Sequence, residues 1–401
     1  MNLTHLHRNT VKLILGIILI ISTFSCRKEV PQINQPERYT QTNFADIFQS
    51  YWTGMNNSYI FWDIDHTNWD DVYKKYKPIF AKLNANDSTD IRKAYTYFKE
   101  MTSNLVDSHY TLKFNNDYLQ DSAWIQPARS RHEKQPGYHG GFGKNFFKYT
   151  LMKKYLDTGA MFGDVTTYDR NYVYAVAGKI KANNILYLHF NTFYLKEVYG
   201  YTGNFSLAIR RTLQYYLDQV RNPAGLRGII IDVRSNGGGQ LADLDFLIGP
   251  LTDKSYVIGA TRGKSGTGRL DYGPWIDAKV NATGANAFTA PVIILADVNS
   301  ISMSEMTTMA IKALPSGNGK FVGEQTWGGT GPLSRNEFFN SGQFSTGFFR
   351  SVYTSSLMMR DKDGKIYENI GLSPDIEVKY DAAAIALGND PQLERAINLI
   401  P

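Results

Sequence analysis

The chain has 401 residues, one cysteine, 26 tyrosines, 22 phenylalanines and a formal net charge of +6 at pH 7. This length allows two domains that each bury an apolar interior, and the composition is typical of a globular protein. A single cysteine excludes intrachain disulfides and cysteine-rich zinc sites, and because the lysines and arginines form no cluster, the charge predicts no nucleic-acid binding.

The N-terminus has the order of a bacterial lipoprotein signal. A basic start and a short apolar run, residues 13–21, precede the lone Cys26. The run is far shorter than the roughly 20 residues that span a bilayer, so it predicts export rather than a permanent membrane helix. We predict a signal peptide over residues 1–25, a lipid on Cys26 that anchors the protein in the bacterial cell envelope, and a polar tether over residues 26–40. The alternative is an incidental cysteine in an ordinary signal.

Two stretches of the N-terminal part have the spacing of amphipathic helices. Apolar residues recur on one helical face from Phe44 to Trp52 and again from Ile91 to Leu105. We therefore predict a helical N-terminal subdomain over residues 41–115. Residues 116–180 are rich in glycine, lysine and tyrosine and predict only a linking region.

Strands alternate with helices in the second half of the chain. The predicted elements are strands at 185–190, 228–233 and 291–296 and helices at 207–220 and 302–314. This alternation is typical of an α/β core with crossover connections, which we place at residues 181–401. The abundant aromatic residues favour a well-filled core over a surface that grips extended chains or glycans.

Ser302 is the first candidate for chemistry, because it lies between an apolar strand and the following helix. The unpaired N–H groups of a first helical turn can stabilise a developing oxyanion. The spacing of Ser302 and Glu305 is also that of a capping box, which requires no catalysis.

A second candidate is the run Gly237-Gly238-Gly239, which follows a predicted strand. Such glycines let backbone amides approach a ligand closely, as an oxyanion hole or a phosphate cradle requires, although a tight turn is the simpler alternative. The pattern contains neither the lysine of a phosphate loop nor the dinucleotide fingerprint.

His109 follows Asp107 and Ser108 and is the candidate general base, because histidine alone has an unperturbed pKa near working pH. His189 lies inside a strand pattern and is expected in the core. The sequence has no metal-binding histidine motif and no calcium-type loop, so no metal or cofactor is predicted.

In their order along the chain, five segments resemble the serine peptidase family of the carboxyl-terminal-processing and tricorn core proteases. They are Asp-Ser-His at 107–109, Ile-Asp-Val-Arg-Ser-Asn-Gly-Gly-Gly at 231–239, Ser-Ile-Ser-Met-Ser-Glu at 300–305, Val-Gly-Glu-Gln-Thr-Trp-Gly-Gly at 322–329 and Gly-Leu-Ser-Pro-Asp-Ile-Glu-Val at 371–378. The resemblance implies an α/β fold with a crotonase- or ClpP-like core of strand-helix units and an N-terminal helical subdomain.

One departure from the family's pattern indicates which branch of the family the chain resembles. Family members of the Ser-Lys type place their lysine base where this chain has Gly329, so the resemblance favours the tricorn branch. It implies Ser302 as nucleophile, His109 as base, Ser108 in an orienting role and Glu368 as the acid. Glu368 follows a predicted hairpin that turns at Asp363-Gly364. Glu377 is the competing acid.

The resemblance also implies that the oxyanion donors are the backbone N–H of Met303 and that of Gly238 or Gly239. Residues 116–180 have no clear signature of the PDZ domain that processing proteases carry, so selection by a PDZ-bound carboxyl terminus is not expected.

The expected function is that of an envelope serine endopeptidase (a hydrolase), which cleaves polypeptides through a Ser-His-Glu acyl-enzyme mechanism without a cofactor. Two alternatives stay open: a non-catalytic binding protein on the same scaffold, and an envelope lipoprotein that binds or cleaves glycans. The sequence gives no indication of oligomeric state.

Overall fold

The computed structural model of the chain describes residues 42–119, 124–333 and 342–401. The predicted signal peptide, Cys26 and the tether over residues 26–40 lie outside these ranges. Within them, no helix combines the length and apolar character needed to cross a bilayer.

The described helices are α1 (Phe44–Ser58), α2 (Trp69–Phe80), α3 (Ser88–Met101), α4 (Pro127–His132), α5 (Met152–Tyr155), α6 (Leu195–Tyr199), α7 (Leu207–Arg221), α8 (Ala242–Ile248), α9 (Met303–Lys312), α10 (Ala382–Ala386) and α11 (Pro391–Asn398). A π-helical turn, Phe146–Leu151, and two 3-10 turns, Asn204–Ser206 and Gly249–Leu251, accompany them.

The described strands are β1 (Thr111–Phe114), β2 (Trp124–Ile125), β3 (Met161–Thr166), β4 (Tyr172–Lys179), β5 (Ile185–Phe190), β6 (Gly228–Asp232), β7 (Tyr256–Gly263), β8 (Ile276–Val280), β9 (Val292–Ala296), β10 (Gly319–Gly323), β11 (Gln343–Phe344), β12 (Phe349–Tyr353), β13 (Leu357–Asp361) and β14 (Ile376–Glu377).

A seven-stranded sheet forms the centre of the fold, in the order β14-β10-β9-β6-β5-β4-β3. The strands from β5 to β14 are parallel, whereas β4 runs antiparallel to both β5 and β3. Side chains from α7, α8 and α9 cover one face, and those from residues 142–156 and α11 cover the other. Burial on both faces explains the unbroken apolar runs of β6 and β9. The predicted α/β core with crossover connections is confirmed.

The sheet begins earlier in the chain than the sequence indicates. Strands β3 and β4 belong to it, so a boundary at residue 181 divides the sheet, and the region 116–180 is more than a link. The alternation that reveals a half-buried strand is missing here, because six consecutive residues of β4 are buried.

The N-terminal body consists of α1, α2 and α3 packed on the small sheet β11-β12-β1-β2. Its core is dominated by aromatic side chains, as the composition predicts; the Phe98 ring lies 4.9 Å from that of Phe349. Helix α3 ends at Met101 rather than near Leu105, and the Thr102 hydroxyl donates to the Phe98 carbonyl at this end. Strand β12 comes from the C-terminal part, so segments from both the N-terminal and the C-terminal part of the chain form this body.

A third sheet, β13-β7-β8, lies beside these two bodies. The turn predicted at Asp363-Gly364 is present, since the Gly364 N–H donates to the Asp361 carbonyl. No second strand follows it, however, and β13 instead pairs with β7. The expected hairpin before Glu368 is therefore wrong.

Candidate active site

Ser302 occupies the turn between β9 and α9 with an unusual backbone conformation, φ 63° and ψ −118°. A positive φ is uncommon for residues other than glycine and costs on the order of 1–3 kcal/mol, so the surrounding contacts must enforce it. The Ile301 N–H donates to the Asn236 carbonyl at 3.2 Å, and the Ser302 N–H donates to the Glu305 carboxylate at 3.1 Å. A strained serine at a strand-to-helix turn is the geometry of an exposed nucleophile.

The glycine run packs directly against this turn. A Cβ on Gly238 would lie 2.7 Å from the Ser302 Cβ and 3.1 Å from the Met303 nitrogen, and its φ is +87°. Only glycine fits at this position. The loop therefore brings its backbone amides next to the first N–H of α9, as the resemblance implies.

The two predicted glycine donors differ in what their amides contact. The Gly238 N–H donates to the Asn236 side-chain oxygen at 2.8 Å. The Gly238 carbonyl accepts from the Phe193 N–H at 2.8 Å, and because this peptide group is trans, the Gly239 N–H points away from Phe193. This geometry favours Gly239 over Gly238 as the second oxyanion donor.

Glu305 connects the start of α9 to a distant loop. Its buried carboxylate accepts from the Thr326 hydroxyl at 2.6 Å and from the N–H groups of Gly328 and Gly329 at 2.8 and 2.7 Å. Burial raises the pKa of Glu305 to about 7, and these donors act against that rise. Sequence reasoning recognised only the local capping role of Glu305, because no local pattern reveals partners more than 20 residues away.

Ser108 and His109 approach from the N-terminal body. The Ser108 hydroxyl donates to the Gly328 carbonyl at 2.7 Å, so it binds the loop that Glu305 holds. The His109 N–H donates to the Asp107 carboxylate at 2.9 Å, and this carboxylate also accepts from the N–H and hydroxyl of Ser355. The histidine segment is thus fixed to the C-terminal part of the chain.

Glu368 lies beside this segment. Its carboxylate accepts from the N–H groups of Ser108 and Gly331, each at 2.8 Å. Burial, and next the charge of Asp107, raise the pKa of Glu368 well above its usual range. The competitor Glu377 is exposed on β14, at the edge of the sheet.

His109 has the electrostatics of a neutral base. Burial lowers its pKa to about 4, so the ring is unprotonated near neutral pH. Its Nδ1 is buried without a hydrogen-bond partner, and in the described ranges no hydrogen bond joins His109 to Ser302. Catalytic hydrogen bonds are often long in unliganded enzymes and shorten when substrate binds.

Asp107, His109 and Glu368 place potential ligand atoms within 4.8 Å of one another. Both carboxylates nevertheless accept hydrogen bonds from protein donors: three bonds reach Asp107, and two backbone amides bind Glu368. These donors account for the positions of both side chains without a bound cation. His189, expected in the core, is buried in β5.

A cleft of about 460 Å³ opens beside these groups. Its lining includes Ser108, His109, Thr111, Gln126, Arg129, Ser235, Gly237, Asn299, Ile301, Trp327 and Tyr353. Gln126 and Arg129 come from the region that sequence reasoning left as a link. This segment is anchored to the loop that precedes Ser302, since His132 donates to the Val298 carbonyl at 2.8 Å, and the His132 ring stacks on Trp327 at 4.0 Å.

Comparisons with known proteins find similarity to peptidases over the second half of the chain. The model of peptidase family S41 matches residues 184–378. The tricorn protease of Thermoplasma volcanium is 27% identical over 188 residues, which are 47% of this chain and 15% of that protein. The nisin-resistance protein of Lactococcus lactis is 25% identical over 185 residues, 44% of this chain and 54% of that protein. The chain thus spans less than two thirds of each of these relatives.

Solved structures share the fold over most of the chain. A candidate peptidase from Parabacteroides merdae superimposes with a TM-score of 0.66 at 20% identity, covering 90% of this chain and 97% of the other. Mature CPAF in complex with lactacystin gives a TM-score of 0.58 at 10% identity, covering 89% and 97%. Both likenesses support the α/β peptidase fold with N-terminal helices.

Proposed function

We propose, from the premise that this chain belongs to the serine peptidase family S41, that it is an endopeptidase that hydrolyses peptide bonds through an acyl-enzyme on Ser302. One observation carries the assignment: Ser302 has the strained conformation of a nucleophile, with the glycine run packed against it. A serine that only capped a helix would not need a positive φ.

In the proposed mechanism, His109 takes the proton of the Ser302 hydroxyl while the serine oxygen attacks a substrate carbonyl. The low pKa of His109 keeps the ring unprotonated and ready for this step. The same proton then passes to the leaving amine, and the acyl group stays on the serine. Water attacks the ester with His109 again as base, which releases the acid and restores the enzyme.

The negative oxygen of each tetrahedral intermediate would bind the N–H of Met303, the first residue of α9, and the N–H of Gly239. The positive end of the helix dipole adds to this stabilisation. Glu368 would stabilise the imidazolium that forms on His109. Ser108 would hold the histidine segment through its hydrogen bond to Gly328.

We further propose that the mature protein is held at the bacterial envelope by a lipid on Cys26, with residues 26–40 as the tether. The order of basic, apolar and small residues before Cys26 supports this location. Cells that express the wild type should incorporate labelled fatty acid into the protein, and Cys26→Ser should abolish the label and release the protein from membranes. Equal labelling of both forms would contradict the anchor.

The nucleophile is tested by replacing Ser302 with alanine. Peptidase activity on a labelled casein should fall by about 10⁴-fold or more, because the whole covalent mechanism is lost, while the fold is retained. A fluorophosphonate probe should label the wild type but not this variant. Ser130→Ala, which changes an exposed serine of α4, is the matched control and should keep both signals. Full activity of Ser302→Ala would refute the assignment.

A further inference from the structure

The charge on the lining of the cleft is positive. Arg129 is its one charged side chain in the described ranges, since His109 is neutral near pH 7 and the other lining residues are uncharged. The same cleft exposes Gly237 and Ile301, the neighbours of the glycine loop and of the nucleophile. A substrate that reaches Ser302 therefore passes a fixed positive charge.

Arg129 is held by an ion pair, but part of its guanidinium remains available to a ligand. Its Nε donates to Glu133 at 2.9 Å, and its side chain remains 53% exposed. This single bond leaves the two terminal amino groups of the guanidinium without a partner among the described residues. Those groups form the planar fork that matches a carboxylate.

Trp327 forms the platform beneath this fork. The Arg129 guanidinium lies 5.5 Å from the centre of the Trp327 ring, within the range of a cation–π contact. Trp327 is only 6% exposed and its ring stacks on His132, while its backbone N–H donates to the Ser300 carbonyl at 3.0 Å. The platform is thus tied to the nucleophile turn, and the guanidinium has a defined place relative to it.

A second positive charge extends along the same side. Thr111 lines the cleft, and Lys113 follows two residues later on the same face of β1, where its ammonium lies 4.2 Å from the centre of the Trp124 ring. No acidic side chain lines the cleft in the described ranges, and Glu133, which pairs with Arg129, lies outside the lining. The field along this wall favours an anionic group.

We propose that Arg129, supported by Trp327, determines specificity by binding a carboxylate of the polypeptide substrate close to the scissile bond. This inference rests on the proposed peptidase function. The carboxylate comes either from an aspartate or glutamate side chain or from the free carboxyl terminus of the substrate. Both present the same planar anion to the guanidinium.

The first test compares matched peptides. The wild type is incubated with internally quenched peptide pools in which one position near the cleavage site is fixed as Glu, Gln or Lys. We expect kcat/KM to be about tenfold higher for Glu than for Gln, the lower end for a charge-assisted hydrogen bond because the guanidinium is half exposed. Equal rates for Glu, Gln and Lys at every position, with both free and amidated carboxyl termini, would overturn the proposal.

Substitutions test whether Arg129 causes the preference for Glu over Gln. Arg129→Met keeps the aliphatic stem over Trp327 and should bring the Glu to Gln ratio to about one, and Arg129→Glu should invert it in favour of Lys. Arg211→Met, at an exposed arginine of α7, is the matched control and should keep the wild-type ratio. Glu133→Gln removes the neighbouring anion and should keep or raise the ratio. An unchanged ratio in Arg129→Met would refute the role of this residue.

Two further experiments identify the source of the carboxylate and separate binding from cleavage. Amidation of the peptide carboxyl terminus should abolish the preference if the terminus is the source, and should leave it intact if a side chain is. Binding of the Glu and Gln pools to Ser302→Ala, followed by fluorescence anisotropy, measures recognition without cleavage. Tighter binding of Glu with no cleavage by the wild type would refute the peptidase assignment alone, and cleavage without any carboxylate preference would refute this inference alone.

Discussion

The substitution Glu368→Gln tests the geometry around the histidine most directly. Ligand atoms of Glu368 and His109 lie within 4.8 Å of each other. At this separation and an effective dielectric constant of about 20, two opposite unit charges attract by about 3.5 kcal/mol, or roughly 300-fold in rate. In the proposed mechanism this attraction exists only in the transition state, when His109 carries the proton from Ser302. Screening by the amides around Glu368 reduces the expected loss of kcat to about 100-fold.

The substitution has a smaller effect on folding. Glutamine keeps one oxygen, so one of the two N–H donors, from Ser108 or Gly331, loses its acceptor. This loss costs about 1–3 kcal/mol, partly offset because a buried charge is removed. Casein digestion gives the rate, and thermal unfolding by circular dichroism shows that the variant is folded.

The exposed Glu377 provides the matched control. Glu377→Gln changes the same chemical group on β14 and should keep wild-type activity and stability. The reasoning would be refuted if folded Glu368→Gln retained more than a third of the wild-type kcat. It would also be refuted if Glu377→Gln lost activity to the same extent, because the acid would then lie elsewhere.

Two further substitutions test how the nucleophile turn is built. Glu305→Gln should lower the free energy of unfolding by about 2–4 kcal/mol and reduce kcat, because the new amide nitrogen cannot accept the two hydrogen bonds that the replaced carboxylate oxygen accepted. Chemical denaturation measures the change in stability, and an unchanged midpoint would contradict this prediction. Gly238→Ala should abolish acylation by a fluorophosphonate probe, since its Cβ would lie 2.7 Å from the Ser302 Cβ. Gly143→Ala, with no atom within 4 Å of the added Cβ, should label normally, and equal labelling of both variants would contradict the packing.

The sequence predicts those parts of the fold that depend on neighbouring residues. Apolar runs give the buried strands β6 and β9, and the order of strand, serine and helix places Ser302 at the edge of the sheet. The positive φ of Ser302 could not be predicted, because the turn is held by distant contacts such as the bond from the Ile301 N–H to the Asn236 carbonyl, which form only in the folded chain.

Contacts between distant segments account for what the sequence does not reveal. The bond from Ser108 to Glu368 joins residues 260 positions apart, and Arg129 reaches the cleft from a helix whose His132 stacks on Trp327. Local patterns carry no record of such pairs. A resemblance to a family can supply the catalytic residues, but it did not distinguish the amides of Gly238 and Gly239, since that difference depends on the orientation of one peptide group.

Three buried carboxylates join the segments of the site, and their titration links stability to activity in opposite directions. Asp107 binds Ser355, Glu305 binds the loop at 326–329, and Glu368 binds the histidine segment. Burial raises the pKa of Asp107 to about 6, that of Glu305 to about 7 and that of Glu368 well above its usual range.

A carboxyl whose pKa is higher in the folded state binds more protons there than in the unfolded chain. The free energy of unfolding therefore falls as the pH rises from the ordinary carboxyl pKa of about 4 through the raised values. In the proposed mechanism, activity should rise as the pH rises through the raised pKa of Glu368, because ionised Glu368 is the form that stabilises the imidazolium on His109. The unfolding temperature should therefore fall from pH 4.5 to 8, and Glu305→Gln should flatten this fall. Casein digestion at the same pH values follows the accompanying change in activity. Unfolding temperatures that rose across this interval would contradict the assignment of these carboxylates as buried groups with raised pKa values.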